Sequence, residues 1–535
     1  TITGDNEFMA NRSGQPVVIL RDNVERVPGQ EALRSNIMAA KVLGNTVRTT
    51  LGPRGMDKML VTQGSDDIVI TNDGATILHQ IHVQHPGAKL VVEVAETQDD
   101  ECGDGTTTAV VMVGSFMEQA EKLIDTGVHP SVIAKGYNLG MMKALEILDG
   151  LAISVTPKDT AMLKQIAKTA MTGKSIEMIM DKACDVVVEA VSSVATTSGK
   201  KTMVNEDDIL VKTKRSETMD AELIKGVLID KTRLDALMPK KIKGVMAAFI
   251  ANPLEITKTQ TKSKIKITSH EQLEAFSQAE RETLRAIAEK FVENGINVVL
   301  CQKGIADPVQ YYLGENGIYA LEFVPEKDLK YAAKALGGQI VNKPEDLNPD
   351  VIGTAGNLEM LEDVEMTKLS GCKNPNAVTI LLRGSSQHLV DELERAIEDA
   401  KRVVQDVVED GSYTIGGGSV ETELSIRLRE YAASEGGRVQ LAIEGYAKAF
   451  EIIPKTLAEN SGFDTVDKVI DLRQAHATGQ KYAGLDVFTG KVVDMKAEGV
   501  VEPKRVKRQA IQSASETAML LIRVDDMMIS KGAGQ

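Results

Sequence analysis

Tryptophan is absent from this 535-residue chain, and aromatic residues make up only 3% of it. Platforms on which bases or sugars stack are therefore scarce. Cysteine is nearly as rare: Cys102, Cys184, Cys301 and Cys372 lie far apart and form no Cys-x-x-Cys pair. That argues against a zinc ribbon or a disulfide framework and fits a reducing compartment. No apolar run reaches the ~18 residues a membrane span needs, and Thr1 to Phe8 lacks the apolar core of a signal segment. Basic residues are in deficit, 62 Lys and Arg against 77 Asp and Glu, for a formal net charge of −15. An electrostatic hold on nucleic-acid phosphate backbones is accordingly not expected. The seven histidines show no H-E-x-x-H spacing and no G-x-S-x-G elbow occurs, which leaves zinc hydrolase and serine esterase chemistry without support.

What is present is a chain long enough for roughly three or four domains, 42% hydrophobic and carrying 22 methionines suited to adaptable apolar surfaces. It reads as a soluble, cytoplasmic, multidomain protein, with Met9 a native start preceded by added residues. Apolar periodicity predicts a helix over 31–50, then helices over 75–81, 88–100, 106–125 and from Pro130 to Leu151. Residues 16–20, 59–61 and 68–71 read as short strands, the last two as a hairpin. After about residue 223 strands (298–301, 319–324, 339–341) alternate with helices (306–314, 326–336), the pattern of an α/β domain. A Lys/Thr-rich stretch from Glu255 and a charged helix, 271–294, read as an excursion from it. Leu520–Val524 reads as a strand pairing with the one at residue 16, which would put both chain ends in one domain with the middle inserted.

The strongest local signal is Gly103-Asp104-Gly105-Thr106-Thr107-Thr108, followed at once by an apolar helix. Glycines bring the backbone close to a ligand, a helix start leaves N–H groups unpaired, and Asp104 is placed to hold Mg²⁺ against phosphate oxygens. A plain turn with a threonine N-cap fits the spacing equally well. Leu51-Gly52-Pro53-Arg54-Gly55 reads by itself as a helix C-cap, and Asn72-Asp73-Gly74 as a tight turn. Gly416-Gly417-Gly418 is either a flat bed for a nucleoside or a flexible joint. Asp399 stands on helix 387–408, whose apolar stripe leaves Glu392, Arg395, Asp399, Arg402 and Asp406 as a solvated face, and Lys174 reads as a loop lysine.

Taken together, Thr49–Leu60, Ile70–Leu78, Gly103–Thr108, Gly371–Pro375, Gln440–Glu444, Leu457–Asn460, Asp486–Phe488 and Ile522–Asp526 resemble the group II chaperonins. That is the family of the archaeal thermosome and the eukaryotic cytosolic chaperonin, and the likeness spans roughly residues 16–530. The resemblance implies a multidomain α+β fold: a mostly helical equatorial domain with a small β-sheet (1–153 and 413–535), an α/β intermediate hinge domain (154–222 and 378–412), and an α/β apical client-binding domain (223–377) with a helical lid protrusion at about 254–284.

It also implies an ATPase that closes a built-in lid over non-native protein clients, with ATP or ADP and Mg²⁺ as cofactors and other subunits of a homo- or hetero-oligomeric double ring as partners. By the same resemblance Asp104 would hold the metal, and Gly105, Thr106, Thr107 and Thr108 the phosphates. Leu51, Gly52 and Pro53 would line the nucleotide pocket, with Gly416, Gly417, Asp486 and Glu502 on its nucleoside side. Asp73 and Asp399 would orient the attacking water, and Thr172, Gly173 and Lys174 would sense the γ-phosphate. Client contacts would fall on Ala306–Leu313 and the protrusion base. Ser419-Val420-Glu421 departs from the Ala-Pro-Glu common in relatives, and His79, His82 and His85 stand where relatives are richer in Lys and acids. A small-molecule kinase using Gly103–Thr108, or a nucleotide-binding ring protein without turnover, are the competing classes.

Overall fold

Helix-period apolar residues dominate both ends of the chain, while the strands that build a large sheet lie in its middle. The computed structural model describes residues 8–10, 16–18, 24–61, 68–81, 83–174, 176–199, 201–256, 270–374 and 377–530. It divides into two compact units, one made of residues 1–154 with 412–535, the other of residues 155–411.

In chain order the first unit begins with α1 (Gly29–Arg48), α2 (Gly74–Gln80), α3 (Pro86–Cys102), α4 (Thr106–Asp125) and α5 (Pro130–Leu151). The second carries α6 (Thr160–Met171), α7 (Met180–Val194), α8 (His270–Glu293), α9 (Asp307–Glu315), α10 (Glu326–Leu336) and α11 (Gln387–Asp410). The first resumes with α12 (Ser419–Glu435), α13 (Gly437–Ala449), α14 (Ile452–Asn460), α15 (Thr465–Ala477) and α16 (Lys504–Ile522).

α4 is apolar on nearly every side and runs through the centre of its unit. Around it Phe116, Tyr137, Tyr446 and Phe450 form one aromatic cluster, Phe116 and Tyr446 stacked with ring centroids 4.6 Å apart. The buried hydroxyls are satisfied: Tyr137 donates to the Phe116 carbonyl at 2.8 Å, and Tyr446 meets Ser515 Oγ at 2.7 Å.

The C-terminal strand lies elsewhere than expected. α16 keeps its helical stripe through buried Leu521 and Ile522, so the apolar run 520–524 is mostly helix end. The strand is Asp526–Ser530, antiparallel to Val24–Pro28, while Pro16–Val18 pairs with Phe8–Ala10. Residues 1–7, 19–20, His82 and 531–535 lie outside the described residues, as do 62–67 between the strands Lys58–Val61 and Ile68–Thr71. In that hairpin Met59 faces Ile70 and Val61 faces Ile68, and all four are exposed.

The second unit is built on a sheet in the order Tyr319–Leu321, Val298–Cys301, Lys241–Ile250, Gly353–Leu361, Met366–Cys372, Asp220–Ile229, Val378–Gly384, Ile209–Arg215. Ile340–Val341 adds beside Lys241–Ile250. The strand Asp220–Ile229 changes partner midway: residues 220–225 pair with 378–383, and 226–229 with 367–370. The change falls at Gly226, whose φ of 141° and whose position 2.0 Å from the Leu369 oxygen, measured from a β-carbon built there, only glycine tolerates. Leu284, Ala288 and Phe291 of α8 pack with Val309 and Leu313 of α9 against this sheet. Of the expected protrusion at about 254–284, residues 257–269 lie outside the described residues.

Candidate functional site

The site in the first unit is built around the join of α3 and α4. α3 ends where Gly103 turns left-handed (φ 66°) and its N–H reaches the Asp99 carbonyl at 2.8 Å. Gly105 is left-handed again (φ 81°) and caps α4 with no side chain, so Thr106 is the first helical residue and not the N-cap. The threonine-cap reading is thereby corrected: the cap position has no side-chain oxygen to satisfy the first-turn N–H groups. Asp104 stands between the two glycines, its Oδ1 accepting from the Gly105 N–H at 2.7 Å. Thr106 and Thr107 are buried and Thr108 is half-buried.

Asp73 caps α2, with Oδ2 accepting from the Thr76 N–H at 2.7 Å. Its other oxygen accepts from the Thr106 hydroxyl at 3.0 Å. The turn and the functional readings of Asp73 thus coincide: one oxygen closes a helix start, and the other reaches the phosphate-loop candidate. A β-carbon on Gly74 would lie 2.9 Å from the Thr107 backbone nitrogen, so the two helix starts touch.

Gly52 (φ 80°) lies beyond the end of α1, whose C-cap is Thr49; it is not the cap. Its loop is held by Asn460, whose amide donates to the Arg48 and Leu51 carbonyls at 3.1 and 2.9 Å. Pro53 follows in the same loop, and the neighbouring Arg54 stacks over Phe488 at 5.1 Å. Nor is Gly416–Gly418 a flexible joint. The Gly416 N–H donates to the Val500 carbonyl and the Gly417 carbonyl accepts from Leu485, each at 2.9 Å. Added β-carbons would meet Glu502, Met495 and Pro454 within 2.9 Å. Asp486 spends its carboxylate on its own turn, accepting from the Phe488 N–H at 2.9 Å and the Thr489 hydroxyl at 2.5 Å. Burial opposes ionisation there, but these donors hold Asp486 below the usual carboxylate range.

Glu502 shares a cation. Lys507 Nζ lies 2.5 Å from Glu421 Oε1 and 3.1 Å from Glu502 Oε1. Burial, with the charges of Glu421 and Asp104, pushes the Glu502 carboxyl up to about 7 against the pull of Lys507. Burial alone would lower Lys507, and the two carboxylates overcome it and hold the ammonium above its ordinary value.

Sequence reasoning missed Lys507, Glu421, Gln98 and Asn460. Two of them carry a readable signal. Lys507 stands on the stripe Lys507, Ile511, Ala514, Ala518, and Gln98 on the stripe Val91, Val94, Gln98, Cys102; each is a polar residue at a buried helical position.

In the second unit Gly173 (φ 84°) turns the chain after α6, and Lys174 Nζ meets Asp399 Oδ2 at 2.5 Å. Thr172 caps α6 from its C-terminal side, its hydroxyl donating to the Lys168 carbonyl at 2.6 Å. The solvated-face reading of α11 is corrected: Glu392, Arg395, Asp399 and Arg402 are only partly exposed, and Asp406 is buried.

None of the four cysteines is in a disulfide. Among the described residues no three His, Cys, Asp or Glu gather as a metal cluster, and no helix is long and apolar enough to cross a membrane.

Comparison with known proteins brings the two units under one likeness. The profile of the TCP-1/cpn60 chaperonin family matches residues 43–532. The chain is 48% identical to the thermosome subunit beta of Archaeoglobus fulgidus over 98% of this chain and 96% of that one. It is 48% identical to a thermosome subunit of Pyrococcus horikoshii over 97% and 95% respectively. Among solved structures, the open-state monomer of a group II chaperonin from Methanococcoides burtonii matches with a TM-score of 0.62 and 40% identity, covering 79% of this chain and all of that one.

Proposed function

The chain belongs to the TCP-1/cpn60 chaperonin family, and on that footing we propose that it is an ATP-dependent protein-folding subunit acting with like or related subunits in a double ring. Its first unit is the equatorial ATP-binding domain. The second, apart from residues 154 and 412 that fall in the first unit, comprises the intermediate hinge (154–222 and 378–412) and the apical client-binding part (223–377) with its lid at about 254–284.

The observation that carries this reading is the Gly103-Asp104-Gly105 turn at a helix start capped by glycine, with Asp73 bonded to Thr106 beside it. A carboxylate beside unpaired helix N–H groups suits a divalent cation and an oligophosphate together. Asp104 would hold Mg²⁺, and residues 105–108 the phosphates. Bound there, Mg²⁺ supplies charge neutralisation and polarises the phosphate oxygens.

The chain's own residues do the rest. Asp73, locked by Thr76 and Thr106, orients the attacking water and takes up its proton as the γ-phosphate leaves ADP. Asp399 and Lys174 belong to the second unit, and their proposed roles, a further water-orienting carboxylate and a γ-phosphate sensor, rest on the family likeness. Positioning and charge placement supply most of the catalysis in phosphoryl transfer, so this set suffices. Leu51, Gly52, Pro53, Gly416 and Gly417 shape the nucleoside side, Asp486 fixes the adjoining turn, and Glu502 accepts from the ribose. Clients meet the second unit near α9, where Tyr311 and Phe323 are exposed. Driving closure from 1:99 to 99:1 takes about 5.5 kcal/mol of differential binding, within reach of one nucleotide.

The test is ATP hydrolysis by the assembled complex with and without a chemically denatured client, alongside recovery of the client's activity. Refolding that depends on hydrolysis is expected. Turnover without refolding, or no turnover, overturns the reading.

A further inference from the structure

Gln98 is completely buried on α3, yet it is polar. Its amide nitrogen donates to two backbone carbonyls from distant parts of the chain, Asp104 at 2.8 Å and Val506 at 3.2 Å. Both contacts are acceptors, so the amide orientation is fixed by its neighbours. Its oxygen, Oε1, is buried with no hydrogen-bond partner among the described residues. An orphaned buried acceptor destabilises a fold, and a methionine or leucine would fill the same stripe without that cost. What the amide provides in return is a link between two segments.

Those segments hold opposite ends of the proposed nucleotide. Asp104 lies in the phosphate loop, and Val506 lies in the first turn of α16, between Glu502 and Lys507. The loop is seated directly on that turn, because a β-carbon on Gly105 would lie 2.7 Å from Val506 Cγ1 and 3.1 Å from Gln98 Nε2. Lys507, the next residue, binds both Glu421 and Glu502. One helical turn thus supports the metal carboxylate through Gln98 and the ribose carboxylate through Lys507.

We infer that Gln98 is a positioning residue that sets the spacing of Asp104 from Glu502, so that a magnesium–nucleotide is bound as a single unit by a preformed loop. This deepens the proposed function and rests on its assignment of Asp104.

The test compares wild type, Gln98→Met and Asp104→Ala as assembled complexes. Gln98→Met keeps the volume and removes the two donors. Three quantities are read: amide hydrogen exchange of the segment 99–108 without nucleotide, Mg·ADP affinity by calorimetry, and the steady-state kinetics of Mg·ATP hydrolysis. In Gln98→Met the segment is expected to exchange faster while α4 beyond residue 112 is unchanged. Mg·ADP binding weakens about tenfold, equivalent to about 1.4 kcal/mol. KM rises by a similar factor and kcat stays within about threefold. Wild-type exchange and affinity in Gln98→Met overturn the inference. So does a uniform rise in exchange across the unit with unchanged affinity, the mark of a merely structural role. If Asp104→Ala itself leaves Mg·ADP affinity unchanged, it is the reading of the site that fails. Should Gln98→Met not assemble, Gln98→Leu with Val506→Ile, which refills the space, answers the same question.

Discussion

Lys174 and Asp399, 225 residues apart in sequence, meet as an ion pair with Nζ 2.5 Å from Oδ2, their side chains 16% and 21% exposed. A half-buried pair between a loop and the middle of a helix contributes only about 1 kcal/mol to stability, so replacing either partner should leave the fold intact. In the assembled complex Asp399→Ala is expected to lower ATP turnover on the order of 100-fold, as loss of a group that positions the reacting atoms does, with nucleotide affinity largely kept. Steady-state hydrolysis near the wild-type rate would refute the assignment. Lys174→Met leaves the carboxylate in place and should lower turnover less.

Gly74 is fixed by the approach of α2 to the first turn of α4. In Gly74→Ala the new carbon must push the Thr107 backbone, 2.9 Å away. Overpacking of this kind costs about 1–3 kcal/mol. Thermal unfolding should shift down by several degrees, and turnover should fall because Asp73 no longer sits at 3.0 Å from the Thr106 hydroxyl.

Glu502, the proposed ribose acceptor, makes folding depend on pH. Its folded carboxyl is raised to about 7 from 4.5. Between those values the folded chain keeps a proton that the unfolded chain has lost. This group therefore weakens folding progressively as pH rises through that window, with the full penalty above about 7. Glu502→Gln leaves Lys507 a single partner, Glu421, and removes the penalty. Without nucleotide, the variant should melt higher than wild type at pH 8 and alike near pH 5, while its KM for ATP rises. A melting difference that is flat across pH would count against the shared-cation account.

The hairpin Lys58–Val61 and Ile68–Thr71 exposes Met59, Val61, Ile68 and Ile70 as one apolar face. A two-stranded ribbon of this kind is marginal alone and invites pairing with another chain. The double variant Met59→Lys, Ile70→Glu should sediment as smaller species than wild type, with unit folding intact by circular dichroism. Unchanged sedimentation would show that assembly does not use this face.

The sequence exposed the local features and hid the distant ones. α4 and the Gly103–Gly105 turn were legible because an apolar helix follows a glycine-rich loop without a break. The capping role of Gly105 was not, since a threonine run after glycine suits either position until backbone dihedrals decide it. Leu520–Val524 misled because a short run with four apolar residues in five fits a strand or a helix end equally. Lys507 and Gln98 could be seen as polar residues on apolar stripes, but beside their near partners Glu502 and Asp104 each has another 86 and 408 residues away. Pairings at that separation leave no trace in local spacing. Lys174 and Asp399 read as solvated for the same reason.

The partner exchange at Gly226 has a practical consequence for anyone dissecting this molecule. A cut at residue 223 would pass through a ten-residue strand inside the segment that ladders to Val378–Arg383, leaving residues 223–225 attached to the part that ladders to Thr367–Ser370. An excised outer fragment would carry a frayed edge and expose backbone groups that the intact chain keeps paired. Grafts or minimal fragments should keep Asp220–Ile229 and Val378–Gly384 whole, so that the seam between them travels with the piece.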